Sequence, residues 1–398
     1  MKTRAAVLRA TTNERPYGAS SPVAIEELEL GDPRTGEVLV RIAAATLCHS
    51  DLSVVNGDRV RPLPMALGHE AVGIVEAVGP GVDRVTVGQH VALVFVPSCG
   101  HCPRCDEGRP ALCTAAAAAN GSGGLLHGPS LLRDAAGEVV HHQLGVSAFA
   151  EHAVVAQESV VPIPDDIPFA VASMFGCAVL TGAGAVINTA AVRPGQSVAV
   201  FGLGGVGLSA VLGARAAGAS PVVAVDPVPA KRELALRLGA SHAFDPADAV
   251  DAIHDLVAGG LDVAIEAVGS AGVIADCLRA VDRGGKVVSV GLPAPGRTLD
   301  AVPALAFAGE GKALIGSYMG DAVPRRDIPR YLGLWRAGLM PVERLHTGTV
   351  ALTGINDAME ALAGGEAIRQ VIRTSDRLPF DLPHERPEPT DPPGGLPG

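Results

Sequence analysis

The stretch SVAVFGLGGVGLSAVLGARAAGASPVVAVD, residues 197–226, leaves this chain few alternatives. A short apolar run, 197–201, stops at a glycine, and Gly202, Gly204 and Gly207 fall in the pattern G-x-G-x-x-G. A helical run follows to about residue 217, then a second apolar run that ends on Asp226. Strand, glycine turn, helix, strand and acid in that order describe one βαβ unit of a parallel sheet. Gly202 permits the tight turn, Gly204 lets the backbone approach a pyrophosphate, and Gly207 lets helix and strand pack closely. The helix N-terminus then meets the phosphate charge. Asp226 is placed to accept hydrogen bonds from ribose hydroxyls and to repel a 2′-phosphate, which favours NAD over NADP. Lys231 is either within reach of the same ribose or a plain surface lysine.

The alternation continues beyond this unit. LDVAIEAVG (261–269) and GKVVSVGL (285–292) read as buried strands with a helix between, and ALIGSY (313–318) as a further strand. Each ends in a small residue where a cofactor has room against the carboxyl edge of the sheet. Residues 325–338 and 354–364 read as helices. The segment between them, with AIRQVIRT beyond, is placed to return to the first part of the chain. The tail from 377 to 398 is too rich in Pro and Gly to pack and reads as disordered.

The first 95 residues have a different grammar. AAVLRA, VAIEELEL, EVLVRIAAA and the 70–95 stretch are short strands broken by Gly, Pro and Asp, which suggests a partly open barrel. Apolar residues make up 48% of the chain but aromatics only 3%, so the core must be built mostly of Ala, Val and Leu. A formal charge of −11 with no basic block disfavours nucleic acid as a partner. No apolar run reaches the roughly 18 residues that cross a bilayer. Charges appear too soon after Met1 for a signal peptide, so a cytoplasmic location is expected. There the seven cysteines are ligands or buried thiols rather than disulfides.

Six of those cysteines fall in suggestive places. Cys99, Cys102, Cys105 and Cys113 have the spacing C-x2-C-x2-C-x7-C within a lobe at 97–115. Four thiolates close a tetrahedral shell and leave no place for substrate, so a structural zinc is expected. Buried thiols or an iron–sulfur cluster are the alternatives. Residues 46–70 offer Cys48, Asp51 and His69, the last in a Gly-His-Glu triplet with Glu70. Cys177, near the junction of two helical runs at 168–176 and 180–191, is a candidate third ligand. Such a Cys2His shell leaves a fourth position for water or substrate. Zinc, a hydride acceptor and an open coordination position together suggest alcohol oxidation. Residues 114–147 are low in pattern and read as a loop excursion, with His141 and His142 solvated.

Together these motifs resemble the zinc-dependent medium-chain alcohol dehydrogenases, over about residues 5–375. The motifs that carry the likeness are CHSD, GHE, the four-cysteine lobe, GC before a TG pair, and FGLGGVG before Asp226. The length of the 114–147 excursion resembles the longer branch with the class I enzymes and the glutathione-dependent formaldehyde dehydrogenases. The resemblance implies an α/β fold: a Rossmann-type doubly wound parallel sheet beside a partly open, barrel-like (GroES-like) catalytic domain with a zinc lobe. The expected boundaries are 1–178 for the catalytic domain, 179–318 for the NAD-binding domain and 319–376 for the return.

It also implies roles and partners. Two zinc ions per chain are expected, one structural and one catalytic on Cys48, His69 and Cys177. Glu70 would sit behind the catalytic metal, Asp51 would orient His69, and Ser50 would take the alcohol proton. Thr181 would lie beside the nicotinamide, and Arg369 and His49 would face the pyrophosphate. Phe95 and Leu144 would line an apolar pocket, with Arg59 and Arg61 at its mouth, either solvated or attracting a carboxylated substrate. A small-molecule alcohol or aldehyde is the implied substrate and a homodimer the implied assembly.

Some features set this chain apart. Ser53 stands where many relatives have a His that ends the proton relay. TAAAAAN (114–120) lacks the Arg that glutathione-dependent relatives use there. The competing readings are a formaldehyde dehydrogenase acting on a thiol adduct and, in another class, a nucleotide-binding sensor without catalysis. His49 stands where some relatives have Arg, and a neutral imidazole holds a pyrophosphate less tightly. Replacing His49 by Arg is expected to slow NADH release, measured by stopped-flow displacement; release as fast as before would remove His49 from the cofactor site.

Overall fold

The computed structural model describes residues 1–374. The expectation of a disordered tail at 377–398 lies outside the described residues, as do the last two positions of the 319–376 segment. Strands lie at Lys2–Leu8 (β1), Val23–Leu30 (β2), Glu37–Thr46 (β3), Met65–Ala66 (β4), Ala71–Val78 (β5) and His90–Leu93 (β6). Leu132–Arg133 (β7), Val139–His142 (β8), His152–Ala156 (β9) and Val160–Pro162 (β10) follow. The parallel sheet uses Val198–Phe201 (β11), Val222–Val225 (β12), His242–Phe244 (β13), Leu261–Glu266 (β14), Val281–Ser289 (β15) and Ala313–Gly316 (β16). His346–Ala351 (β17) and Arg369–Arg373 (β18) come last.

Strands β11 and β12 are buried at every position, as unbroken apolar runs must be when helices cover both faces of a sheet. The parallel sheet has the order β13-β12-β11-β14-β15-β16, the doubly wound order with its crevice at the carboxyl end of β11. A second sheet has the order β10-β6-β5-β3-β18-β17, with β9 also on β3. Its β18 pairs antiparallel with β3, so the last described strand returns to the N-terminal half.

Strands β1, β2, β7, β8 and β4 close into a barrel. Closure depends on β7 and β8, which come from the segment read as a loop excursion. That reading is corrected: the segment opens with the helix Thr114–Ser122 and supplies two strands. An alanine run favours helix by propensity. Cys113 caps this one, its sulfur accepting from the Ala116 N–H.

The two halves share a core. One hydrophobic cluster runs from Val72 and Val94 through Val179 and Leu180 to Val198 and Leu208. Helix Ala178–Gly184 meets helix Gly205–Ala216 almost backbone to backbone. A Cβ on Gly182 would lie 2.1 Å from the Val206 carbonyl oxygen, and one on Gly213 would lie 2.8 Å from Ala183 Cα. Among the described residues no helix is long and apolar enough to cross a membrane.

His142 is fully buried and neither ring nitrogen has a hydrogen-bond partner among the described residues. This corrects the expectation that His141 and His142 are both solvated. Neighbours in a strand face opposite sides, so the half-buried His141 sends its partner inward. Burial, helped by the charge of Arg34, holds the His142 imidazole neutral down to about 3. The unfolded chain takes up this proton near pH 6.5, so the contribution to stability is complete above that pH and is lost as pH falls. His142 alone should cost up to about 1.4 kcal/mol per pH unit below about 6.5. Urea denaturation between pH 7 and pH 5 should show a shallower loss for His142→Leu than for the wild type; parallel slopes would refute the assignment.

Candidate active site and nucleotide crevice

Three separate segments converge where the two halves meet. Cys48 follows β3 and precedes helix His49–Val55. His69 precedes β5, and Cys177 precedes helix Ala178–Gly184. Their ligand atoms all lie within 4.8 Å of one another. The Cys48 N–H donates to Asp51 Oδ2 at 2.9 Å, and Asp51 Oδ1 lies 2.7 Å from His69 Nδ1. The carboxylate keeps the proton on Nδ1 and presents Nε2 as a bare donor atom. That Nε2 is buried without a partner, which is costly unless an ion takes it. Hydrogen bonding from Cys177 pulls the Cys48 thiol well below its ordinary range against the opposing effect of burial. Two sulfurs and one imidazole nitrogen fit zinc, with a tetrahedral position left over. Gly68 has φ +96°, and a Cβ there would meet the Phe149 backbone nitrogen at 2.3 Å, so the turn into His69 needs glycine.

Glu70 and Arg369 form a fully buried ion pair behind these ligands. Glu70 Oε1 accepts from the N–H groups of Cys177 at 2.9 Å and Ala178 at 3.2 Å. Burial pushes the Glu70 carboxyl up to about 7 against the pull of Arg369. Arg369 Nη1 donates to the Leu47 carbonyl at 3.3 Å. The arginine stem also lies against the glycine turn: a Cβ on Gly205 would fall 2.7 Å from Arg369 Cδ. Arg369 is thus bound to Glu70, and its Nη1, 3.4 Å from the same Cβ position, borders the glycine turn together with the stem.

The turn itself has a cradle of the right kind. Gly202 has φ +92°, and a Cβ on Gly207 would lie 1.7 Å from the Gly202 carbonyl oxygen. A Cβ on Gly204 would meet nothing within 4 Å, so backbone is bare at the start of the helix where a pyrophosphate would lie. Asp226 ends β12; its Oδ2 accepts from Leu203 N–H at 2.8 Å and its Oδ1 from Val228 N–H at 2.9 Å. Lys231 is half-buried on helix Pro229–Arg237. Arg232, which sequence reasoning missed, donates to the Asp226 carbonyl at 2.6 Å and to Asp245 at 3.0 Å.

Phe95 packs edge-on against His69, centroids 5.7 Å apart, and edge-on against Tyr318 at 5.8 Å. Tyr318 was not among the expected site residues, although its place at the carboxyl edge of the parallel sheet was the available signal. Burial first, and Cys177 next, push its phenol up, while Arg61 and Arg59 pull it down. Arg59 Nη2 donates to the Pro293 carbonyl at 2.8 Å, across the cleft mouth. A cleft of about 340 Å³ lies between Leu112 and Arg109 of the cysteine lobe and Gly291, Leu292, Ser317, Tyr318 and Asp321. Ser50 Oγ lies 3.8 Å from Cys48 Sγ, and Thr181 is buried in the helix after Cys177. Leu144 is half-buried with φ 52° and packs against the hydrophobic cluster that holds Phe95, Cys48 and Cys177, and His49 is exposed. Ser53 donates to the His49 carbonyl at 3.0 Å.

The four-cysteine lobe is as compact as its spacing implies. Its ligand atoms also lie within 4.8 Å of one another, with Cys102 Sγ 3.6 Å from Cys105 Sγ and 3.9 Å from Cys113 Sγ. Backbone N–H groups of Cys105 and Thr114 hold the Cys102 thiol at about 5. One thiol held low, with backbone donors aimed at sulfur, suits zinc, while burial pushes the neighbouring Cys99 and Cys105 thiols up. All seven cysteines are free.

The sequence matches the alcohol dehydrogenase GroES-like domain over residues 34–165 and the zinc-binding dehydrogenase family over 205–336. It is 42% identical over 355 residues to a geraniol dehydrogenase of Castellaniella defragrans, covering 88% of this chain and 94% of that one. It is 40% identical to an NDMA-dependent alcohol dehydrogenase of Amycolatopsis methanolica, covering 94% and 100%. The crystal structure of benzyl alcohol dehydrogenase from Acinetobacter calcoaceticus superposes with a TM-score of 0.87 at 33% identity, covering 94% of this chain and all of that one. Purified protein should contain two zinc ions per chain by atomic absorption. His69→Ala should retain one and lose turnover about a thousandfold, the equivalent of several kcal/mol. Cys102→Ser should also retain one but fail chiefly in thermal stability. A single zinc in the wild type would contradict one of the two assignments, and the variant that then retains none would show which site was filled.

Proposed function

Because the chain belongs to the zinc-dependent medium-chain alcohol dehydrogenases, we propose that it oxidises primary alcohols with an apolar body to aldehydes, and runs the reverse, passing hydride to and from NAD. The observation that carries this reading is the convergence of Cys48, His69 and Cys177 within 4.8 Å, beside the aromatic pair Phe95 and Tyr318. The similarity to a geraniol dehydrogenase and a benzyl alcohol dehydrogenase supports an apolar substrate.

When bound, the zinc supplies the Lewis acidity that makes an alcohol proton easier to lose. The chain's own residues do the rest. Asp51 fixes the tautomer and orientation of His69. Phe95 and Tyr318 hold the apolar body and keep water away from the reacting carbon. Ser50 takes the alcohol proton. The Ser53 hydroxyl gives its own hydrogen to the His49 carbonyl and so offers only acceptor lone pairs to the outward relay. The glycine turn holds the pyrophosphate, with Asp226 and Lys231 toward the ribose and Thr181 beside the nicotinamide. Arg59 spends one N–H on Pro293, which weakens the case for it as a carboxylate clamp.

We read the domains as 1–178, 179–318 and a return through 319–376, and the protein as a cytoplasmic homodimer. Strand β16 has a neighbour on one side only among the described residues. Nearby Leu305 is 70% exposed, so a second copy pairing along this edge would cover both.

NADH formation with a series of primary alcohols, without thiol, tests the function. Specificity, kcat/KM, should rise with apolar chain length, by up to about fourfold per added methylene. Turnover only of formaldehyde, and only with a low-molecular-weight thiol present, would replace this reading with adduct oxidation.

A further inference from the structure

The segment that carries Tyr318 is held in a conformation its residues do not favour. Met319, Gly320 and Asp321 have φ of 53°, 67° and 46°. Three consecutive residues thus occupy the left-handed region, which only glycine enters without steric cost. Such a turn persists only where its surroundings over-determine it. Thr189 Oγ1 donates to Asp321 Oδ2 at 2.8 Å and lies 2.7 Å from Ser317 Oγ. Arg109, on the cysteine lobe, approaches Asp321 Oδ1 at 3.4 Å. Gly320 is seated on the helix behind Cys177: a Cβ there would lie 2.6 Å from the Leu180 carbonyl oxygen and 2.7 Å from that of Thr181. Asn188 Nδ2 donates to the Gly320 carbonyl at 3.2 Å. Asp321 is the one polar side chain in the turn, and it is tied to both the cysteine lobe and the nucleotide half. Tyr318 comes immediately before the turn, its ring edge-on to Phe95.

We propose that Asp321 is a positioning residue that sets which alcohols fit: it locks the left-handed turn and thereby fixes the Tyr318 ring as the outer wall of the pocket. The inference rests on the reading of Phe95 and Tyr318 as that wall. Asp321 lines the same cleft as Tyr318 and acts on the alcohol through that ring. With the carboxylate gone the ring is free to swing, and an alcohol large enough to lean on it loses that contact. An alcohol too small to reach Tyr318 is indifferent.

The readout is the ratio of kcat/KM for benzyl alcohol to that for ethanol in the zinc-loaded enzyme. Asp321→Gly keeps the left-handed backbone accessible but removes the carboxylate. It should lower the ratio about fivefold to tenfold, through KM for benzyl alcohol, the loss expected for one aromatic contact. Asp321→Asn tolerates the same backbone and still accepts from Thr189, so it should retain most of the wild-type ratio. Tyr318→Ala should lower the ratio at least as far. An unmoved ratio in Asp321→Gly, beside a lowered one in Tyr318→Ala, would overturn this inference alone. An unmoved ratio in Tyr318→Ala would overturn the pocket reading and this inference with it. Equal losses on both alcohols in Asp321→Gly would make the residue merely structural and also overturn it. If Asp321→Gly does not fold, Thr189→Val removes the other end of the same hydrogen bond and is judged by the same ratio.

Discussion

The ion pair between Glu70 and Arg369 is the joint on which the site depends. The two residues are 299 positions apart and almost wholly removed from water. Taking two such charges out of water costs several kcal/mol per ion, and only good geometry with further hydrogen bonds offsets it. Those further bonds reach in telling directions. Glu70 receives the N–H groups of Cys177 and Ala178, which sets the backbone that aims a metal ligand. Arg369 donates to Leu47, next to another ligand, and lays its stem along Gly205 of the nucleotide turn. One pair thus ties both cysteine ligands, the returning strand β18 and the cofactor crevice to a common reference. A carboxyl pushed up to about 7 reflects burial outweighing the pull of the arginine there.

The two cysteine sites use the same element in opposite ways. In the lobe the chain supplies four sulfurs from a single short stretch, with backbone donors around them, and the shell is complete. At the other site it supplies three donors from remote stretches, with one imidazole nitrogen left bare and an aromatic wall in front. Local sequence can build the first. The second exists only once the barrel, the sheet and the helix after Cys177 have come together.

That difference explains what could be read from the sequence. The βαβ unit and the four-cysteine lobe were legible because spacing along the chain is itself the geometry. The set Cys48, His69 and Cys177 needed likeness to a family, since no local rule brings residues 48 and 177 together. Tyr318 and Arg232 went unread because each acts through a neighbour that only the fold provides: Phe95 in one case, Asp245 in the other. The 114–147 segment was misread for another reason. Its two strands are so short that they show no alternation until paired with β2 and β4. Within them, the burial of His142 but not His141 followed from the two-residue period of a strand. In a chain with 3% aromatics, every Tyr and Phe beside a ligand carried more information than its number suggested.

Helices Ala178–Gly184 and Gly205–Ala216 touch at Gly182 and Gly213 with no room for a methyl group. The first helix begins at a metal ligand and the second at the phosphate turn. Evolution and engineering alike tend to exchange modules at domain borders, and a border drawn near residue 178 would leave this contact whole but cut the first helix from Cys177, the ligand just before it. A hybrid that took its barrel from one relative and its nucleotide half from another would inherit both glycine faces together, but would have to seat the start of that helix on a Glu70 from the other parent. The functional module of this protein is therefore larger than either domain: it is the welded helix pair with what each helix points at.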